Sequence, residues 1–539
     1  MRDNRIRRRV IQIYAKGARV LDGSFMTQEL NFITHTSETS LSSEPLAAYA
    51  SIADPYVLLK MVDGTIQLLV GAFTVLHNIN CCRGLIYVTQ QGFLKICQLP
   101  SAYNYDNHWP VQKVPLHGTP HQVTYYAEQS LYPLIVSVPV IRPLNQVLSS
   151  MADQELGMHI ENEVTSGDDL QKVYTVDEFE VRIMELEKPS GCWTTKFTIP
   201  MQPFENTLTV RIVMLQNTAT KENESLMAIG TGYIQGEDVA ARGRVLLFTF
   251  TKSENSQNLV TEVYSKEIKG AVSAVASLQG HLLIASGPKI TLNKWTGTEL
   301  TAVAFYDAPL HVVSLNIVKN FVLFGDIHKS IYFLSWKEQG SQLSLLAKDF
   351  GSLDCFATEF LIDGSTLSLV VSDSDKNVQI FYYAPKMVES WKGQKLLSRA
   401  EFHVGAHVSK FLRLQMLPTQ GLASEKTNRF ALVFATLDGG IGCVAPVDEL
   451  TFRRLQSLQR KLVDAVSHMC GLNPRSFRQF KSNGKAHRPG PDNIIDFELL
   501  SHYEMLSLEE QLEIAQQIGT TRTQILSNFS DFSLGTSFL

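Results

Sequence analysis

The stretch AVSAVASLQGHLLIASGPKITLNKW, residues 271–295, decides the fold of this chain. It contains three short apolar segments, at 271–278, 282–286 and 290–295, which are separated by polar or glycine-containing turns. Short segments with this spacing predict antiparallel β-strands joined as hairpins. The next residues, ELTAVAFYD, are more polar and predict a fourth strand that faces water. The stretch therefore predicts one small sheet of four strands.

The same pattern occurs four times between Ala271 and Pro446. Its units open at Ala271, His311, about Leu353 and His407, a period of about 40 to 54 residues, and the first three units add the polar fourth strand. Short antiparallel strands at this period are typical of the blades of a β-propeller. A single blade cannot bury both faces of its sheet, so blades are expected to stack around an axis.

Less regular hairpins occur earlier, at 84–100, 132–186 and 225–250. Together with the four regular units they make seven between residue 71 and about 450. The fold prediction is therefore mainly β, with a seven-bladed, WD40-like β-propeller followed by a small C-terminal α-helical domain. The expected domains are partial blades over 1–70, the propeller over 71–450 and the helices over 451–539.

Helical periodicity replaces the strands after Pro446. Asp448 is the expected N-cap of a helix with one apolar face, and Gly471 and Pro474 are expected to end it. That face is formed by Leu455, Leu458, Leu462, Val463, Val466 and Met469. Further helices are expected at 493–505, at 508–518 after the capping box of Ser507 and Glu510, and at about 522–528.

The composition of the sequence excludes several classes of protein. The 48 Lys and Arg residues nearly balance 53 Asp and Glu residues, so no overall basic charge draws the chain to nucleic acid. Neither a signal peptide nor a membrane-spanning segment is expected, because the start MRDNRIRRRVIQIY has no apolar core and the sequence has no run of 18 apolar residues. The 7 scattered cysteines favour a reducing compartment.

No catalytic, cofactor-binding or metal-binding motif is found, and the prediction is a protein that is not an enzyme and has no cofactor. His403 and His407, in EFHVGAH, are expected to be turn histidines near the propeller surface.

The segment 451–490 is basic, with nine Lys or Arg residues and the single acid Asp464. Basic side chains interleaved with aromatic rings can stack on bases or bind an acidic partner. An equally good interpretation is intramolecular, because residues 491–539 carry eight acids against one arginine. The candidate RNA or partner contacts are Arg475, Phe477, Arg478, Phe480, Lys481, Lys485 and Arg488.

The stretch IAQQIGTTRTQIL, residues 514–526, has the pattern of a helix-turn-helix that binds DNA. Its second helix offers only Arg522 and Gln524 to read bases, and its surroundings are acidic, which repels phosphate. A packed helical hairpin is therefore the favoured interpretation.

Residues 190–539 resemble a known family. The resemblance rests on QGEDVAARGRVLLFTF (235–250), KGAVSAVASLQGHLLIASGPKI (269–290), GDIHKSIYFLSW (325–336), SLLAKDF (344–350), AEFHVGAHVSKF (400–411) and LTFRRLQSLQRKLVDAVSHMCGLNPRSFRQF (450–480). These stretches are similar to the C-terminal portion of the large (A) subunit family of cleavage and polyadenylation specificity factor, in its plant-like form. The wider family includes the large subunit of the damaged-DNA-binding protein and a splicing factor 3b subunit.

The resemblance implies three propellers and a helical C-terminal domain in the full-length family. Residues 1–70 are similar to part of the middle propeller and pass near Gly71 into the last one. Blades that the family has between these two regions are missing, so a shortened chain is expected.

The implied role is a nuclear scaffold that supports recognition of the poly(A) signal in pre-mRNA. The implied partners are a WD-repeat subunit, a zinc-finger subunit and pre-mRNA, which is bound directly or through these subunits. The alternative is an adaptor of a related DNA-damage ubiquitin ligase or spliceosomal complex. No catalytic residue is carried over from the family.

Overall fold

A computed structural model describes residues 9–98 as strands, by their backbone alone, and residues 113–536 in detail. Outside this description lie 1–8, 99–112, 144–172, 188–190, 235–239, 252–258, 417–427, 467–472, 483–484, 487–492, 537–539 and the connections between the strands of 9–98. The chain forms two compact units, which cover residues 1–115 and 116–538.

The described part of the first unit consists of three antiparallel sheets of three strands each, β1–β2–β3, β4–β5–β6 and β7–β8–β9. These strands are β1 (Arg9–Tyr14), β2 (Gly17–Asp22), β3 (Phe25–Asn31), β4 (Glu44–Ala50), β5 (Pro55–Lys60), β6 (Ile66–Val70), β7 (Phe73–Leu76), β8 (Gly84–Val88) and β9 (Leu94–Gln98).

The second unit contains, in the part that the structure describes, a β-propeller arrangement of six antiparallel sheets, which we number as blades 1 to 6 in chain order. Blades 1 to 5 have four strands each, and blade 6 has three among the described residues.

Blade 1 contains β10 (Thr119–Val123), β11 (Leu131–Pro143), β12 (Val173–Leu186) and β13 (Trp193–Pro200). Blade 2 contains β14 (Glu205–Gln216), β15 (Asn223–Tyr233), β16 (Arg242–Phe250) and β17 (Val260–Lys269). Blade 3 contains β18 (Val272–Leu278), β19 (His281–Ser286), β20 (Lys289–Trp295) and β21 (Leu300–Asp307). Blade 4 contains β22 (Val312–Val318), β23 (Phe321–Asp326), β24 (Ser330–Lys337) and β25 (Gln342–Lys348). Blade 5 contains β26 (Cys355–Asp363), β27 (Thr366–Asp373), β28 (Asn377–Tyr382) and β29 (Leu397–His403), and blade 6 contains β30 (Val408–Gln415), β31 (Phe430–Thr436) and β32 (Ile441–Val444).

Consecutive blades stack through their apolar faces. The first strands of neighbouring blades contact one another, which places them innermost. One apolar cluster lies between each pair of consecutive blades, and the cluster between blades 3 and 4 includes Leu283, Leu292, Phe324 and Leu334. The inner strands β19 and β23 are almost entirely buried, whereas the outer strand β21 has no buried residue and half of its residues are exposed. The polar fourth strand predicted from the sequence therefore lies at the outer edge of its blade.

The predicted count of seven blades is wrong, because the described residues of the second unit form six. The prediction counted hairpins along the chain, and the hairpin at 84–100 instead belongs to the sheet β7–β8–β9 of the first unit. A hairpin pattern depends on residues close together in the sequence and does not show which sheets pack together. Four strands of the second unit were not predicted from the sequence: β10 and β13 in blade 1, and β14 and β17 in blade 2.

Helices follow the last blade. They are α1 (Glu449–Ala465), α2 (Pro474–Phe477), α3 (Phe497–Ser501), α4 (Leu508–Gln517) and α5 (Arg522–Gly535), with a 3₁₀ turn at His502–Met505 and a short strand pair, β33 (Lys481–Ser482) and β34 (Lys485–Ala486). Asp448 caps α1 by accepting a hydrogen bond from the backbone of Thr451, and Ser507 and Glu510 form the predicted capping box of α4. The helix predicted at 493–505 is shorter and covers Phe497–Ser501. The last helix, predicted at about 522–528, is longer and covers Arg522–Gly535.

The helices share a core of their own. Leu455, Leu458 and Leu462 of α1 are fully buried against Leu500, Tyr503, Ile514 and Ile525 of the later helices. The predicted apolar face of α1 is thus confirmed at these positions, whereas Met469 and Gly471 lie outside the described residues. None of the helices described is both long and apolar enough to cross a membrane.

Candidate partner interface

Residues 473–482, the part of the basic segment 451–490 that follows α1, lie against blade 5. Asn473 caps the short helix α2 by accepting from the backbone N–H groups of Arg475 and Ser476, and Pro474 occupies its first turn. Further on, the side chain of Asn377 donates to the carbonyl of Lys481 over 2.8 Å, and its amide oxygen accepts from the Lys481 N–H over 3.2 Å. Asn377 opens β28, so this pair of hydrogen bonds fixes the segment to the propeller.

Arg478 is the centre of this contact. Its guanidinium donates to the backbone carbonyls of His403 and Val404 on blade 5, over 3.4 and 3.0 Å. It also forms ion pairs with Asp496, over 2.8 Å, and with Glu498, over 2.6 Å, at the start of α3. Only 13% of the Arg478 side chain is exposed.

Two aromatic rings lie against the same cation. The guanidinium carbon of Arg478 lies 4.9 Å from the ring centre of Phe402 and 5.0 Å from that of Phe477. Such cation–π contacts stabilise a partly desolvated arginine. Arg478 therefore contacts both the propeller and the acidic helices, as the intramolecular interpretation of the basic segment expects.

His403 is buried at this junction, so the expectation that it lies in a turn near the surface is wrong. It is the last residue of β29, and 5% of it is exposed. Its Nδ1 lies 3.0 Å from the amide oxygen of Asn377, which can only accept, so Nδ1 donates. Burial, followed by the nearby positive charges of Lys481 and Arg478, lowers the pKa of His403 to about 4. The imidazole is therefore neutral at physiological pH.

The other candidate contacts have different surroundings. Phe477 is 43% exposed and packs edge-on against His403, while the ammonium of Lys481 lies 5.1 Å from the centre of the Phe477 ring. Arg475 and Phe480 are half-buried, and Lys485 is exposed on β34. Arg488 lies outside the described residues. The structure thus brings together Phe477, Arg478 and Lys481.

A cleft of about 1460 Å³ lies beside this contact, between blades 5 and 6 and the helices. Its walls include Phe402 of β29, Gly442 of β32, Phe452 of α1 and Ile494, which precedes α3. Sequence reasoning missed Asn377, Phe402 and Asp496 as members of this junction. A signal existed only for Asp496, which belongs to the acidic run after residue 491.

The stretch 514–526 is a packed helical hairpin. Ile514, Ala515 and Ile525 are buried in the helical core, and the guanidinium of Arg522 donates to the side chain of Gln511 over 2.6 Å. One of the two side chains suited to reading bases is therefore already engaged within the bundle. Among the side chains that the structure describes, no group of three or more His, Cys, Asp or Glu is arranged to hold a metal ion.

Comparison with known proteins places this arrangement in a family. Residues 178–505, from β12 of blade 1 to the end of the 3₁₀ turn, match the family model described as the CPSF A subunit region, where CPSF is cleavage and polyadenylation specificity factor. The match therefore includes most of the propeller and the junction with the helices.

Curated relatives carry the same name. The chain is 86% identical to "Probable cleavage and polyadenylation specificity factor subunit 1" of Oryza sativa subsp. japonica and 71% identical to "Cleavage and polyadenylation specificity factor subunit 1" of Arabidopsis thaliana, in each case over 89% of this chain and 33% of the relative. The Drosophila melanogaster protein of the latter name is 31% identical over 85% of this chain and 32% of its own length. The chain thus spans about one third of the length of the relatives it matches.

Proposed function

Because the chain belongs to the CPSF A subunit family, we propose that it acts in the nucleus as a non-catalytic scaffold in the complex that cleaves and polyadenylates pre-mRNA 3′ ends. The observation that carries this proposal is the family match over residues 178–505. The match includes the junction built around Arg478, so the family similarity covers the contact between blade 5 and the helices.

The geometry is suited to a scaffold. Stacked blades form a rigid body whose loops and outer strands are available to partners. The helices have a separate core and are fixed to blade 5 by Arg478 and Asn377. A partner that binds near the junction would therefore contact both the propeller and the helices, whose surfaces are held at a fixed distance from each other.

The proposed partners are the other subunits of the complex, in particular a WD-repeat subunit and a zinc-finger subunit. Pre-mRNA is bound directly or through them, in support of poly(A)-signal recognition. Within the basic segment, we propose that Arg475, Phe477, Phe480, Lys481, Lys485 and Arg488 contact a partner or RNA, whereas Arg478 fixes the segment in place. The exposure of Phe477 and Lys485 supports this division.

Affinity purification of the tagged chain from plant nuclei, followed by mass spectrometry, tests the proposal. Enrichment of polyadenylation factors is expected. The alternative, an adaptor of a DNA-damage ubiquitin ligase or of the spliceosome, predicts enrichment of those components, and that result would replace the proposal.

A further inference from the structure

Two exposed aromatic rings lie side by side on the outer rim, where blade 4 meets blade 5. Phe350 follows β25 of blade 4, and Trp391 lies in the loop that joins β28 and β29 of blade 5. Their ring centres are 4.8 Å apart, and the planes are inclined by 58°. Phe350 is 47% exposed and Trp391 is 53% exposed. Clusters of large rings with this much exposed surface are uncommon outside binding sites.

The loop that carries Trp391 is held in an unusual conformation. Trp391 and Lys392 both have positive φ angles, of 51° and 56°, which residues other than glycine rarely adopt. The buried Ser390 fixes this turn: its hydroxyl donates to the carbonyl of Met387 and accepts from the N–H of Gly393. Strained backbone that its surroundings hold in place is concentrated at functional sites.

The loop is also fixed to blade 4. The N–H of Lys348 donates to the carbonyl of Gln394 over 3.0 Å, and the N–H of Leu396 donates to the carbonyl of Lys348 over 2.9 Å. Because these bonds join the two blades, the positions of Phe350 and Trp391 relative to each other are set by the backbone. A ligand would find the two rings already in place.

Lysines lie on both segments that carry the rings. The ammonium of Lys348 lies 4.7 Å from the ring centre of Phe350, and that of Lys395 lies 5.1 Å from the ring centre of Trp391. Lys386 and Lys392 are exposed on the same loop. The acids of the two segments that carry the rings are the exposed Glu389 and the half-buried Asp349, and Asp349 accepts from the hydroxyl of Ser330 over 2.6 Å. These segments, 348–350 and 386–395, therefore carry four lysines and two acids.

We propose that this surface, the Trp391 platform of Phe350, Trp391, Lys348, Lys386, Lys392 and Lys395, binds single-stranded RNA. Aromatic rings stack on bases whatever their sequence, and neighbouring lysines neutralise the phosphates between them. An acidic protein segment would form ion pairs with the lysines, but its carboxylates would not stack on the two exposed rings. The choice of RNA over DNA rests on the proposed function.

The test uses the purified full chain and a fluorescein-labelled polyuridine of about 12 nucleotides, with fluorescence anisotropy as the readout. Trp391→Ala is expected to weaken binding about 5- to 150-fold, whereas Trp391→Phe keeps most of the affinity. Lys386→Ala with Lys392→Ala is expected to reduce the salt dependence, by about 0.7 in the slope of log affinity against log salt for each lysine. Thermal melting of each variant checks that it is folded.

Phe305 provides a matched control. It is 59% exposed on blade 3 and has the ammonium of Lys289 4.4 Å from its ring centre, but the structure describes no second aromatic ring in contact with it. Phe305→Ala is therefore expected to bind RNA as the unchanged chain does. The proposal is overturned if Trp391→Ala binds RNA with unchanged affinity, if RNA does not bind at all, or if only an acidic peptide binds. Co-purification of polyadenylation factors is scored separately, so the two proposals can fail independently.

Discussion

The guanidinium of Arg478 lies 2.8 Å from the carboxylate of Asp496, and the same guanidinium donates to the carbonyl of Val404 on blade 5 over 3.0 Å. One cation therefore connects the last helices to the propeller. Asp496 is itself fixed, because its backbone N–H donates to the side chain of Gln459 in α1 over 2.7 Å. The junction thus joins α1, the start of α3 and blade 5 through hydrogen bonds that are largely shielded from water.

Arg478→Ala is expected to destabilise the chain by about 3 kcal/mol, because it leaves the mostly buried Asp496 without its cation. Urea unfolding monitored by circular dichroism measures the change. Lys485→Ala removes an exposed cation of the same segment and is expected to leave stability within about 0.5 kcal/mol. Equal effects of the two variants would show that Arg478 does not join the two parts.

Leu462→Asp is expected to destabilise the helices by more than about 3 kcal/mol, because it places a charge in a fully buried apolar position. Lys461→Asp introduces the same side chain at the adjacent exposed position of α1 and serves as the control. Thermal melting compares the two. An unchanged melting temperature in Leu462→Asp would mean that this face of α1 is open to water.

Acid is expected to weaken the junction through His403. The pKa of His403 is lowered to about 4 in the folded chain, below the ordinary value of 6.5, so the unfolded chain binds more protons between these values. The contribution of neutral His403 to stability is therefore complete above pH 6.5 and is lost as the pH falls towards 4. The loss is at most about 1.4 kcal/mol for each pH unit.

Melting temperatures at pH 7 and pH 5 measure this effect. His403→Gln keeps a side-chain donor for Asn377 but does not titrate, so its melting temperature should fall less between these pH values. The same change at the exposed His117 is the matched control for replacing a histidine with glutamine. An identical pH dependence in His403→Gln would contradict the assignment.

Lys485→Glu is expected to reduce the recovery of co-purified subunits or RNA about 2- to 5-fold without changing the melting temperature. The side chain is exposed, and exposed charges contribute up to about 1 kcal/mol to a contact. Quantitative mass spectrometry of the purified complex measures the recovery. Lost stability with unchanged recovery would instead support a purely intramolecular role for the segment.

Local features of the fold could be predicted from the sequence, and long-range features could not. The strands of 271–295, the cap at Asp448 and the capping box at Ser507 depend on neighbours within a few residues. The number of blades depends on which sheets pack together, and hairpin counting gave one too many. The spacing of strands along the sequence does not show which sheets pack together.

The junction shows the same limit. The hydrogen bond between Asn377 and Lys481 joins residues 104 positions apart, and that between Arg478 and Val404 joins residues 74 apart. The basic segment was recognised from its composition, but composition did not distinguish Arg478 from Lys485. The Trp391 platform had no sequence signal, because Phe350 and Trp391 belong to different blades.

We propose that the chain acts in 3′-end processing of pre-mRNA, and sequencing of RNA 3′ ends after depletion of the protein is the most direct test of this proposal. Transcripts that continue past their normal poly(A) sites, with splicing unchanged, are expected. Normal 3′ ends after depletion, accompanied by retained introns or by a defect in DNA-damage repair alone, would rule the proposal out.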